Sequence, residues 1–172
     1  MMGEIQTAPF RRQSLGVIDL LPAHRQVQNP SGESVHTREL ARLVFLQGDR
    51  SEALTLYEQA ISLGRGAGSR VNEAMAQSGL GLVLAHAGDL VGAVTALTQA
   101  EALLREGPSP AWLGALLLHK AEVEWLSGQS DAARRTFAEA CALARPEPEE
   151  TRRLEALFQI GSRLEPEPGR PS

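Results

Sequence analysis

Four histidines, His24, His36, His86 and His119, and one cysteine, Cys141, are the side chains with which this chain could do chemistry. A metal centre needs converging ligands, most simply two histidines one helical turn apart, and no His-x-x-x-His pair occurs. His119 and Glu122 share one helix face, and stacking could bring His86 near them; hydrogen bonding suits this trio better than a metal ion. Cys141 stands among Ala140, Ala142 and Leu143 with no histidine close in sequence, so it reads as a small packed thiol rather than a nucleophile. The acidic residues are scattered among arginines, without the pairing that acid–base catalysis requires. Two glycine clusters imitate nucleotide-binding loops and fail. Residues 64–69 (GRGAGS) are followed by Arg70 and Val71 instead of Lys-Ser/Thr, and Gly79-Leu80-Gly81 lacks a third glycine and a preceding strand. The expectation is a protein that is not an enzyme and uses no cofactor and no metal.

Composition narrows the partners. The chain has 172 residues, enough for one domain, and its 42% apolar content can fill a core. Aromatics are only 4% while Ala, Leu and Gly abound, which favours closely packed helices over a β-sandwich. Seventeen Lys and Arg stand against twenty-one Asp and Glu, for a net charge of −4, and Lys120 is the one lysine. No positive field exists to hold a phosphate backbone, so nucleic acid is not expected. No apolar run approaches the roughly 20 residues of a membrane span, and the opening MMGEIQTAPFRRQ makes a poor secretory signal. With its single cysteine, the chain reads as soluble and cytoplasmic, without a membrane partner.

The elements that must position these residues repeat every forty positions. Gly48, Gly88 and Gly128 are in register, as are Ala53, Ala93 and Ala133, and Ala60, Ala100 and Ala140. A fixed period with small residues at one phase signals stacked helical units. The clearest copy is residues 72–104, two apolar helical runs parted by Gly88-Asp89, where Gly81 marks a close helix contact. One copy earlier, Leu40, Leu43 and Val44 form a stripe that ends at Gly48. Asp49 then caps a second helix with Glu52 as its capping-box partner, and Leu54, Tyr57, Ala60, Ile61 and Leu63 carry the apolar face. Residues 64–69 are expected to be an inter-repeat turn. The third copy turns at Gly128 and ends before Pro146 and Pro148.

The predicted domain layout follows. Residues 1–33 form an N-terminal arm, irregular or with a short helix over 14–21 that starts at Ser14. Residues 34–165 form the repeat domain, with hairpins over about 34–69, 70–108 and 109–146. A capping helix over 149–164 shows Glu149, Glu150, Arg152, Arg153 and Glu155 to solvent, and 166–172 is a disordered tail. The fold class is all-α: a right-handed α-solenoid of three antiparallel helical hairpins plus a C-terminal capping helix.

The pattern of Leu-Gly in the first helix, Gly-Asp at the turn, then Ala, aromatic or Leu, and Ala, resembles the tetratricopeptide repeat. Repeat two shows Leu80-Gly81, Gly88-Asp89, Ala93, Leu97 and Ala100, and repeat one shows Leu40-Ala41, Gly48-Asp49, Ala53, Tyr57 and Ala60. Repeat three keeps Ala121, Gly128, Ala133, Phe137 and Ala140 but departs at Lys120 and Gln129. The forty-residue period is similar to the longer variety found in signalling adaptors and bacterial regulators.

The resemblance implies a concave groove lined by the first helix of each hairpin. By register its positions are Val35, Arg38, Glu39, Arg42 and Phe45; then Met75, Ser78, Gly79, Leu82 and His86; then Ala115, Leu118, His119, Glu122 and Trp125; and Phe158, Gln159 and Ser162 beyond. The partner-binding residues expected among these are Arg38, Arg42, Phe45, Met75, Ser78, Leu82, His86, Leu118, His119, Glu122, Trp125 and Phe158. Their apolar members are expected to form an exposed strip. The carboxylate clamp of co-chaperones in the family is not intact, because Gly79, Ala115 and His119 replace its Lys and Asn positions. An apolar or helical segment with an acidic residue meeting Arg38 and Arg42 fits better.

The resulting expectation is a non-enzymatic interaction module, a scaffold or regulatory adaptor, holding a protein or peptide partner in its groove. It would be a monomer or weak homodimer. The alternative is a sensor or regulatory subunit that binds a small ligand or signal peptide and controls an enzyme or transcription factor.

Overall fold

A computed structural model describes residues 29–105, 107, 110–143 and 148–164, with side chains described to residue 159 except at 148–150. Of the predicted arm over 1–33, residues 1–28 with the helix at 14–21 lie outside the described residues, as does the tail at 166–172. Every described element is a helix: α1 (Pro30–Leu46), α2 (Arg50–Gly66), α3 (Arg70–His86), α4 (Leu90–Arg105), α5 (Pro110–Leu126), α6 (Ser130–Leu143) and α7 (Pro148–Leu164).

Each helix from α1 to α6 packs on its neighbour in sequence, and the first helices of the hairpins, α1, α3 and α5, also pack side by side. This is an all-α solenoid of hairpins. Small residues stand where the axes close: Ala41, Ala53, Ala60, Ala93, Ala100, Ala121, Ala133 and Ala140 are all fully buried. A larger side chain at any of them would push two helices apart. Larger apolar residues fill between these contacts. Leu116 and Leu154 are completely enclosed, each contributing about 1.5–3 kcal/mol by leaving water.

Hairpin turns need a residue with positive φ, and the in-register glycines supply it: Gly48 at 94°, Gly88 at 92° and Gly128 at 76°. Without a Cβ they enter the left-handed region freely and close the helix end. Just beyond the first two, Asp49 and Asp89 cap the next helices, accepting hydrogen bonds from the amides of Glu52 at 3.0 Å and Gly92 at 2.8 Å. Only half of the predicted capping box forms, since the Asp49 amide donates to the carbonyl of Val44 rather than to Glu52.

Two boundaries differ from the sequence reading. The first helix starts at Pro30, not near residue 34: Asn29 caps it through the Gly32 amide at 3.0 Å, and proline is well suited to the first turn because no intrahelical donor is lost. Ser31 then ties this turn to α3, accepting from the Asn72 side chain at 3.0 Å. The second difference is that residues 64–66 of GRGAGS belong to α2, and the turn is confined to Ala67 and Gly68. Gly64 is there because α2 crosses the start of α3 so closely that a Cβ would lie 2.7 Å from the amide nitrogen of Glu73. It is a contact residue within a helix and not a linker.

The last helix caps the stack. Leu154 and Phe158 enter the core formed by Leu116, Leu117 and Ala140, while Arg152 and Glu155 are exposed and Arg153, half exposed, reaches back to Glu122.

Candidate functional site

The row of predicted groove residues divides into three clusters. At the first, α1, α3 and α5 enclose a pocket of about 180 Å³ lined by Arg38, Glu39, Arg42, Tyr57, Met75, Gly79, Ala115, Leu118 and His119. Five predicted binding residues, Arg38, Arg42, Met75, Leu118 and His119, thus meet at one place. Glu39 lies between the two arginines, accepting from Arg38 at 2.9 Å and from Arg42 at 3.2 Å. Burial alone would raise its carboxyl pKa, but hydrogen bonds and charge from Arg38 and Arg42 hold it below the ordinary value. Two guanidinium groups share one carboxylate, so the rim keeps a surplus positive charge. Arg42, with its side chain 56% exposed, presents donors to the pocket mouth.

Tyr57 is the residue of this pocket that sequence reasoning missed. It comes from α2, the second helix of its hairpin, and was expected only to carry core contacts. Its ring reaches through to Gly79 on α3, where an added Cβ would stand 2.2 Å from the ring carbon Cε1. Burial and the charge of Glu39 push its hydroxyl pKa up to about 12, with Arg42 and Arg38 opposing, so it enters as a neutral hydrogen-bonding group. The available signal was the pair itself: Gly79 stands where the neighbouring repeats have Glu39 and His119, leaving room for an aromatic ring one helix away.

The second cluster joins four first helices. Phe45 of α1 packs edge-on against His86 of α3, with ring centroids 5.3 Å apart. His86 Nε2 lies 3.0 Å from Glu122 Oε1 on α5, and Arg153 of α7 donates to both oxygens of Glu122 at 2.9 and 2.6 Å. Glu122 is 2% exposed. Burial raises its pKa, yet hydrogen bonds from His86 and Arg153, and their charges, bring it down to about 2. This carboxylate is a joint between repeats.

In the third cluster the Trp125 and Phe158 rings pack at a tilt of 44° with centroids 4.9 Å apart, Phe137 meets Phe158 edge-on, and the Arg134 guanidinium lies over the Trp125 ring. Side-chain packing of this kind fixes α7 on α5 and α6. The expected exposed strip does not form: Met75 and Leu82 are each 9% exposed, Leu118 3% and Phe158 4%. The side-by-side approach of α3 to α5 covers the first three, and the aromatic cluster covers Phe158.

One pair resembles the beginning of a catalytic dyad. The Ser78 hydroxyl lies 2.7 Å from His119 Nδ1. However, Ser78 is completely buried, so its oxygen has no side open to a substrate carbonyl, and the nearby carboxylate, Glu122, is engaged by His86 and Arg153. The contact holds α3 to α5. Among the described residues no group of three or more His, Cys, Asp or Glu is arranged to hold a metal ion. Burial, with Glu155 nearby, raises the thiol pKa of Cys141, the opposite of what a nucleophile needs.

Stacked antiparallel hairpins with in-register glycine turns, and with side chains of three successive first helices gathered around one pocket, define a helical-repeat protein. Residues 33–106, which span the first two hairpins, match the tetratricopeptide repeat family. The match supports assigning these two hairpins to that family, whose repeats generally serve as protein–protein interaction modules. No curated protein matches the chain. Among the described residues no helix is long and apolar enough to cross a membrane.

Proposed function

We propose that this protein is a non-enzymatic adaptor that holds a polypeptide segment of a partner across α1, α3 and α5, with one apolar side chain of that segment seated in the pocket and an acidic residue beside it on Arg38 and Arg42. The observation that carries this reading is the pocket: an apolar floor of Met75, Ala115 and Leu118 under a rim with surplus positive charge. Its volume of about 180 Å³ suits one side chain, whereas sites for whole small-molecule ligands usually measure about 300–1,000 Å³. This favours a peptide anchor over the small-ligand sensor. Phe45, Leu82, His86, Glu122, Trp125 and Phe158 then support the groove from behind rather than touch the partner. A reducing, cytoplasmic setting and a monomer or weak homodimer complete the proposal.

Selection from a random peptide library tests it. Wild type should enrich peptides with an apolar residue next to Asp or Glu. Arg42→Glu, a change at an exposed position, should keep its helical circular dichroism and lose affinity for them by about tenfold or more, the scale of a lost charge-assisted hydrogen bond. Enrichment without an acidic position, or peptides that bind Arg42→Glu as well as wild type, would contradict the assignment.

A further inference from the structure

The seam between the second and third hairpins departs from the one before it. Glu101, Lys120 and Glu124 of α4 and α5 stand, by register, forty positions beyond the apolar Ile61, Leu80 and Leu84 of α2 and α3. Lys120, which also lines this seam's cleft, turns its Nζ to Glu101 at 3.0 Å, and Arg105 binds Glu101 too, so both cations are directed to that one carboxylate. Glu124 does not join them. Its Oε2 is buried and has no hydrogen-bond partner among the described residues. Beside it α4 and α5 leave a cleft of about 150 Å³, with Val94 and Thr98 on one wall and Val123 and Ser127 on the other. A carboxylate oxygen withdrawn from water without a donor destabilises a fold, and at this register the other two repeats carry Val44 and Leu84.

We infer that the α4–α5 cleft is a second binding site, separate from the groove, which takes the lysine or arginine side chain of a partner polypeptide, its N–H donating to Glu124 Oε2 as that carboxylate turns out into the cleft. Three observations support this occupant. The unsatisfied group is an acceptor, so the ligand must bring a donor, and a cation also suits the negative net charge of the protein. The cleft has the size of one side chain. Beyond the cleft wall at Val94, itself 51% exposed, Val91 at 80% continues the apolar surface along α4, a surface on which residues flanking the cation can lie and which a free amine would not use. None of the residues named for this cleft lines the pocket on α1, α3 and α5, so the two assignments stand or fall separately.

The test is a titration of the ¹⁵N-labelled full chain with acetyl-Val-Lys-Val-amide, its norleucine counterpart and n-butylammonium, each on wild type and on Glu124→Leu. The lysine peptide should shift the amides of Val94, Thr98, Glu124 and Ser127 and bind about tenfold or more tightly than either control. Glu124→Leu restores the residue of repeat two; it should raise the melting temperature and abolish the shifts. The inference is overturned if the norleucine peptide binds equally well, if Glu124→Leu binds unchanged, or if no probe shifts these amides. Equal binding of butylammonium would mean a small-amine site and would overturn the assignment to a polypeptide.

Discussion

The two seams of this solenoid occupy equivalent positions in the repeat and differ in chemistry. Between α2 and α3, Tyr57 passes over Gly79 and packs with Val83, Leu54 and Leu80 into one apolar cluster. Between α4 and α5, Leu97 and Val123 still pack together, but Glu101, Lys120 and Glu124 replace the outer apolar residues and a cleft remains. The same register therefore specifies that two helices meet, while side-chain identity decides whether their seam is sealed. The second seam gives up part of its apolar contact for an open, charged surface, while Leu104, Leu116 and Leu117 keep the rest of it packed.

The comparison breaks most visibly at Tyr57. Tyr57→Ala should cost about 3–5 kcal/mol, the range for emptying a buried aromatic site, measured by urea denaturation; a loss below 1 kcal/mol would mean that this ring does not seal the first seam. Gly79→Ala should also destabilise, by about 1–3 kcal/mol, despite the better helix propensity of alanine, because its Cβ would strike the tyrosine ring.

Acid comes next, through the ionic joint on α7. The Glu122 pKa is depressed in the folded state from 4.5 to about 2, so its stabilisation is present above the unfolded value and disappears as pH falls from about 4.5 towards 2. The full shift corresponds to roughly 3 kcal/mol as an upper figure. Arg153→Ala removes the bidentate partner, and its acid-unfolding midpoint should rise by about one pH unit, with much less effect of pH above 6 than below 4. An unchanged midpoint would remove this ion pair from the account of how α7 is held.

The reciprocal exchange is smaller and more direct. Leu84→Glu should lower stability by about 2 kcal/mol by placing a carboxylate in an apolar contact. Glu124→Leu should raise it by about 1 kcal/mol. If both changes destabilise equally, the seams are not chemically distinct in the way described.

Much of this fold was legible in sequence because backbone requirements recur. A left-handed turn calls for glycine at 48, 88 and 128, and a close helix approach calls for alanine at 53, 60, 93 and 100, so period alone located both. The helix ends were less legible where one residue type serves two purposes. Gly64 looked like linker and is a contact, and Pro30 looked like a break and is a first turn. The site was legible as a row of positions: register brought Arg38, Arg42, Met75, Leu118 and His119 together. It did not reveal exposure, which depends on how closely α3 approaches α5, nor contacts made by long side chains from elsewhere. Tyr57 enters the pocket from a second helix, and Arg153 crosses from α7 to bind Glu122.

The central claim, that the pocket between α1, α3 and α5 seats a partner's apolar anchor, is tested most directly by mapping a library-selected peptide onto the ¹⁵N-labelled protein. The account predicts shifts centred on the amides of Arg42, Met75, Gly79, Ala115, Leu118 and His119, lost when the apolar residue of the peptide becomes alanine. Shifts confined to the outer helices, at residues such as Thr55, Thr95 and Arg135, with the pocket amides unmoved, would contradict it.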